Sequence, residues 1–217
     1  MNAVVPEDIE AYAEAHSASE SAICRALREE TTRTMALARM VVGPLEGAFL
    51  KCMVQAVRAS RVLEIGMFTG YSAISMAEAL PEHGRVITCE IDAESAALAQ
   101  KYIAQSPHGR KIEIRMGPAL DTLRELTGPF ELIFIDADKV NYVNYYRRAM
   151  DLVAPTGAIL IDNVLWNGDV LLEPPPDDST RAIQELNRVV ASDPRVTAVL
   201  LTIRDGVLLV TPKQAPS

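Results

Sequence analysis

Val62-Leu63-Glu64-Ile65-Gly66-Met67-Phe68-Thr69-Gly70-Tyr71-Ser72 is the stretch on which the fold turns. A short apolar run ends at one glycine, a second glycine follows four residues on, and a helical pattern starts at once. Glycine at both places lets the backbone turn sharply and come close to a ligand, as the opening of a βαβ unit requires. Outward from here the alternation repeats. Strands are predicted at 62–65, 86–90, 112–116, 132–136 and 158–162, with helices at 70–80, 93–106, 119–126 and 142–152 between them. A last helix, 179–192 with Ser179 as its cap, leads into strands at 197–203 and 207–211, and Arg204-Asp205-Gly206 between these signals a hairpin. The expected architecture is α/β: a parallel sheet with a C-terminal antiparallel hairpin.

Upstream, residues 7–31 read as a helix broken near Ser19-Glu20-Ser21. A second helix is expected over 44–59, started by Pro44, with Leu45, Phe49, Cys52, Met53 and Val57 on its apolar face. The organisation predicted is one domain, 1–217, divided into an N-terminal helical extension (1–59) and a sheet core (60–217).

The 217 residues are 49% hydrophobic and 23% charged, enough apolar surface for a core and too much for a disordered chain. No apolar run approaches the ~20 residues that cross a bilayer. The start, Met1-Asn2-Ala3-Val4-Val5-Pro6-Glu7-Asp8, has no basic segment followed by an apolar one, so the cytoplasm is the expected compartment. Twenty-nine acids against 21 bases give a net charge of −8, and the bases are scattered, which argues against a nucleic-acid partner. Cys24, Cys52 and Cys89 have neither pairing arithmetic nor zinc spacing and read as reduced, mostly buried thiols. His16, His83 and His108 read as surface residues.

Ligands of open parallel sheets bind beyond the carboxyl ends of the strands, and those ends are acidic here. Glu90 closes the second strand twenty residues after Gly70, the separation at which an acid takes a ribose diol. The three-glycine cradle for a pyrophosphate is missing. A nucleoside ligand such as S-adenosylmethionine suits what remains better than a dinucleotide does. Asp136, Asp162 and Asn163 follow two buried strands and offer only hard oxygens, a set that selects Mg²⁺, Mn²⁺ or Ca²⁺ over zinc.

With Cys89-Glu90-Ile91-Asp92, Ile135-Asp136-Ala137-Asp138-Lys139-Val140-Asn141-Tyr142 and Asp162-Asn163-Val164-Leu165-Trp166-Asn167-Gly168, the opening stretch resembles the cation-dependent O-methyltransferases, among them the caffeoyl-CoA and catechol enzymes and their bacterial relatives. The resemblance runs over about residues 30 to 213. It implies a Rossmann-like class I methyltransferase fold with a seven-stranded, mostly parallel sheet. It also implies S-adenosylmethionine as cofactor, a divalent metal, and a homodimer. By the same resemblance Val42, Glu64, Gly66, Met67, Ser72, Glu90, Ala119 and Asp138 look like donor contacts, Glu90 at the ribose and Ala119 by the adenine. Asp136, Asp162 and Asn163 look like metal ligands, Lys139 like the general base, and Asn167 like a substrate contact. Pro118 departs from relatives that carry a polar residue there, and it removes an N–H beside the adenine.

The reaction expected is methyl transfer to a phenolic hydroxyl of a small aromatic diol. A phenol ionises near pH 10, so a cation chelated by two adjacent oxygens would favour its ionised form. Lys139 acts as a base only when neutral, which desolvation and a neighbouring cation favour; the alternative is that it only pairs with an acid. Trp166, the sole tryptophan, begins a loop running through Glu173-Pro174-Pro175-Pro176 and is placed either at the rim of the acceptor pocket or in packing alone. Residues 35–41 are a second candidate wall. A catalytically silent donor-binding protein and an NAD-dependent oxidoreductase are the competing readings.

Overall fold

The computed structural model describes residues 5–213; the reading of the chain's start rests partly on residues 1–4, which lie outside the described residues. Three helices come first: α1 (Glu7–Ala15), α2 (Ala22–Thr34) and α3 (Pro44–Ala56). The alternating core follows as β1 (Arg61–Ile65), α4 (Tyr71–Ala79), β2 (Arg85–Glu90), α5 (Ala93–Ile103), β3 (Ile112–Met116), α6 (Ala119–Glu125), β4 (Phe130–Ile135), α7 (Tyr142–Leu152) and β5 (Val153–Asp162). It ends with α8 (Asp178–Ala191), β6 (Val196–Leu201) and β7 (Val207–Pro212).

The strands form one sheet in the order β3-β2-β1-β4-β5-β7-β6. The first five are parallel, and β7 enters antiparallel between β5 and β6. This is the seven-stranded, mostly parallel sheet that was expected. The chain builds outward from β1 to one side and from β4 to the other, so the crevice lies beyond the carboxyl ends of β1 and β4. Apolar clusters fill both faces, one under α2 to α5 and one under α7 and α8. Among the described residues no helix is long and apolar enough to cross a membrane.

Helix α4 buries seven consecutive residues, from Tyr71 to Ala77, which an amphipathic surface helix cannot do. The sheet covers one side and the N-terminal helices the other. Helix α2 and Glu20 just ahead of it are fastened there by polar contacts: Tyr71 OH donates to Glu20 at 3.0 Å, Tyr102 OH to Glu30 at 2.6 Å, and Thr31 Oγ1 to Thr69 Oγ1 at 3.0 Å. The last bond lands on the glycine turn itself.

Three local expectations are corrected. The buried face of α3 is Glu46, Gly47, Ala48, Leu50 and Val54, whereas Leu45, Phe49, Met53 and Val57 are half-buried and Cys52 is exposed. Close backbone approach chose that face: a Cβ on Gly47 would stand 2.9 Å from Tyr71 Cε1. Helix α8 is capped by Asp177, whose Oδ1 accepts from Thr180 N at 2.7 Å, and not by Ser179; a carboxylate also suits the positive end of the helix dipole. Helix α1 buries none of its residues, so the apolar positions Ile9 and Tyr12 lie exposed. His16 and His83 are exposed, but His108 is half-buried and bonded to Lys111 Nζ at 3.1 Å.

Candidate active site

The glycine turn is built by two left-handed glycines, Gly66 at φ +95° and Gly70 at φ +90°. A Cβ on Gly66 would stand 2.0 Å from the Asp136 carbonyl oxygen, so the end of β1 and the end of β4 touch through this one residue. The turn's own N–H groups are used internally. Gly66 and Met67 donate to Cys89 O at 3.2 and 3.1 Å, Gly70 to Met67 O at 3.1 Å, and Phe68 to Glu90 Oε2 at 2.7 Å. Four of the turn's N–H groups are thereby committed within the protein, which counts against a pyrophosphate cradle and so against the oxidoreductase reading.

Glu90 is nearly buried, and its other oxygen accepts from Ile91 and Asp92 N–H at 2.8 and 2.7 Å. Three backbone N–H groups therefore fix its carboxylate at the end of β2. Glu64 is fully buried on β1; Thr88 Oγ1 donates to its Oε2 at 2.5 Å, and its Oε1 has no hydrogen-bond partner. Burial, reinforced by the charges of Asp136 and Glu90, pushes its carboxyl up to about 7. Met67 and Ser72 are buried beside it. Val42 is buried ahead of α3, and Ala119 is half-buried at the first turn of α6 behind Pro118. Asp138 is exposed and accepts from Tyr145 OH and Asn141 Nδ2, each at 2.5 Å.

Across the crevice, Lys139 draws the second constellation together. Its Nζ donates to Asp136 Oδ1 at 3.0 Å, to Asn163 Oδ1 at 2.7 Å and to the Tyr142 hydroxyl, and it lies 5.6 Å from the centre of the Trp166 ring. Tyr142 OH passes a bond on to Asp162 O at 3.1 Å; burial, with Asp136 and Asp162 nearby, holds its phenol well above the usual range and therefore neutral. Asp162 is buried, accepts from Asn163 N at 2.7 Å, and is pushed up to about 7 by burial and by the Asp136 charge. Asn167 is exposed, with its backbone N–H bonded to Asp205 Oδ1 at 2.6 Å.

The sequence reading missed Tyr142, Glu46, Arg204 and Asp205. Glu46 sits on the wrongly assigned face of α3; it is buried, paired through Oε2 with Arg204 at 3.0 Å, and its Oε1 has no partner. Burial, and then the neighbouring Asp162 carboxylate, raise its carboxyl well above the usual range. A Glu on an otherwise apolar helix face was the one available sign. Among the described residues no three His, Cys, Asp or Glu side chains gather as a metal cluster, since the expected set holds two carboxylates and an amide. That set fits a hard cation: Asp136, Asp162 and Asn163 offer oxygen donors only, and beside them stands a buried Glu46 oxygen with no hydrogen-bond partner.

A family model described as O-methyltransferase matches residues 14–213. Caffeoyl-CoA O-methyltransferase 1 of Arabidopsis thaliana is 39% identical over 178 residues, covering 76% of this chain and 68% of that protein. Catechol O-methyltransferase domain-containing protein 1 of Mus musculus is 39% identical over 169 residues, covering 76% and 64%. Among solved structures, the O-methyltransferase from Bacillus cereus in complex with SAH is 32% identical, with a TM-score of 0.83 over 95% of this chain and 97% of that one. TomG from Streptomyces achromogenes, an O-methyltransferase in complex with SAM, is 28% identical, with a TM-score of 0.88 over 95% and 96%. The sheet order, a glycine turn answered by Glu90, and likeness across nearly the whole chain lead to one conclusion: the chain belongs to the O-methyltransferase family and is an S-adenosylmethionine-dependent O-methyltransferase.

Proposed function

We propose that the acceptor is a phenolic hydroxyl of a small catechol-like aromatic, and that transfer depends on a divalent cation with Lys139 as general base. The observation that carries this reading is the Lys139 amine, set between Asp136 and Asn163 and beside Trp166, on the segment after β4 that lies against the Gly66 turn. Asp136, Asp162 and Asn163 would hold Mg²⁺ or a similar ion, whose chemistry when bound is to favour ionisation of a hydroxyl and fix its direction. On the donor side Glu90 takes the ribose hydroxyls, and Val42, Glu64, Gly66, Met67, Ser72, Ala119 and Asp138 surround the rest of S-adenosylmethionine. On the acceptor side Trp166 stacks on the ring and Asn167 contacts its substituents. Lys139, in its neutral form and so after one of its three donated protons has left, would take the phenolic proton as the methyl passes from sulfur to oxygen, leaving S-adenosylhomocysteine. Holding both reactants in one crevice removes most of the entropic cost of their meeting.

The test is methylation of 3,4-dihydroxybenzoate with and without excess chelator, in wild type and Lys139→Ala. Loss of general-base catalysis is expected to lower kcat by roughly 10²- to 10⁴-fold with S-adenosylhomocysteine affinity retained. Full activity in excess chelator would sink the cation, and an unchanged kcat would remove Lys139 from the mechanism. The half-buried apolar row Leu45, Phe49 and Met53 supports a homodimer, to be checked by sedimentation. The exposed thiol of Cys52 suits the reducing cytoplasm, where this reading places the enzyme.

A further inference from the structure

In sequence Arg204-Asp205-Gly206 is a chain reversal between two strands, but the fold brings that turn to the crevice and gives each residue a different wall to hold. Arg204 stands at φ +49°, a backbone region unfavourable for a residue with a side chain, so its presence calls for a compensating contact. Its guanidinium reaches the segment ahead of α3: Nη1 donates to Val41 O at 3.3 Å, to Val42 O, and to buried Glu46 Oε2 at 3.0 Å. Asp205 and Gly206 face the opposite way. Asp205 Oδ1 accepts from Asn167 N at 2.6 Å, Asp205 O from Leu165 N at 2.9 Å, and Gly206 O from Val164 N at 3.1 Å. The fit leaves no slack, because a Cβ on Gly206 would stand 2.6 Å from Leu165 Cγ.

The loop held in this way has little reason to keep its shape alone. Asn163, Trp166 and Asn167 all have positive φ, at +60°, +47° and +53°, without a glycine's freedom. Three such residues within five persist only where the surroundings impose them.

We propose that Arg204 and Asp205 are positioning residues for methyl transfer: adjacent on one turn, they lock the donor-side wall at 41–46 to the acceptor-side loop at 164–167, and so select which of two neighbouring hydroxyls faces the methyl group. The selection of a hydroxyl rests on the catechol reading above. The locking of the two walls does not.

Arg204→Gly is the informative variant, since glycine is at ease at this φ and the turn keeps its shape. Arg204→Lys retains a cation but, with a shorter side chain, does not reach the place that Nη1 holds against Val41 O, Val42 O and Glu46 Oε2, and Asp205→Asn weakens the opposite grip. Hydrogen–deuterium exchange on substrate-free protein is expected to show loss of protection at both 39–46 and 163–168 in Arg204→Gly, with the rest of the sheet unchanged. With 3,4-dihydroxybenzoate, kcat/KM is expected to fall by about 10- to 100-fold, with the ratio of meta- to para-methylated product moving towards unity. S-adenosylhomocysteine affinity is expected to weaken by up to about tenfold, because the released wall carries the donor contact Val42. Arg204→Lys should restore neither the product ratio nor the exchange protection. Exchange that changes at one wall only, or at neither, overturns the proposal, as does an unchanged product ratio in an active variant. If wild type methylates no diphenol, the catechol reading fails while the exchange experiment still decides the coupling of the walls.

Discussion

Glu64 and Glu90 are both acids at or near strand ends, yet burial gives them opposite tasks. Glu64 has its carboxyl raised from an ordinary 4.5 to about 7 by desolvation. A folded-state value above the unfolded one contributes stability below pH 4.5 that is lost as pH rises through 7, by at most about 3 kcal/mol. Glu64→Gln removes that loss. Its thermal stability relative to wild type is therefore expected to improve from pH 5 to pH 8; parallel pH curves would contradict the burial of a charge. Glu90 instead holds three backbone N–H groups at the end of β2. Glu90→Gln gives up a charge-assisted acceptor, and calorimetry is expected to show S-adenosylhomocysteine binding weakened by roughly 10- to 100-fold. Glu90 was legible from its separation of twenty residues from Gly70, and Glu64 from the family resemblance alone. Glu46 and Tyr142 were not. One sits on a helix face whose burial depended on Gly47, and the other is an ordinary helix-start residue until Lys139 reaches it.

The element that joins donor and acceptor sides is the turn after β1. Gly66 combines a positive φ with a Cβ position 2.0 Å from Asp136 O, so strain and collision act together. Gly66→Ala is expected to cost more than about 3 kcal/mol in urea unfolding. Because the atom displaced belongs to Asp136, Mn²⁺ affinity should fall in whatever fraction stays folded; normal stability would show that the turn can relax. The sequence identified the glycines from the strand–turn–helix pattern, but not the second layer that supports them. Helix α2, with Glu20 just ahead of it, reaches Thr69, Tyr71 and Tyr102 through Thr31, Glu20 and Glu30, contacts between residues 38 to 72 apart that no local pattern announces. The apolar face of α3 was misjudged for a related reason: size was used as the guide, while the fold used the absence of a side chain.

Across the whole molecule the net charge is −8, and three of its acids, Asp136, Asp162 and Glu46, meet Lys139 and Arg204 at one crevice. A ligand that binds only the folded state stabilises it by mass action. Mn²⁺ at ~100 times its Kd is expected to add about 2.7 kcal/mol to the unfolding free energy, and Asp136→Ala to abolish the gain. No shift in wild type would argue against a cation site. The sequence by itself determined the α/β alternation, the strand ends, the family and the polar residues that follow each strand, because periodicity and motif spacing are properties of neighbouring residues. Only the tertiary structure decided that Tyr142 bridges Lys139 to β5, that Glu46 stands buried behind Asp162, and that the β6–β7 turn grips both walls. Those relations come from packing elements against one another, where backbone approach and the partnering of buried charge select the contacts over long sequence distances.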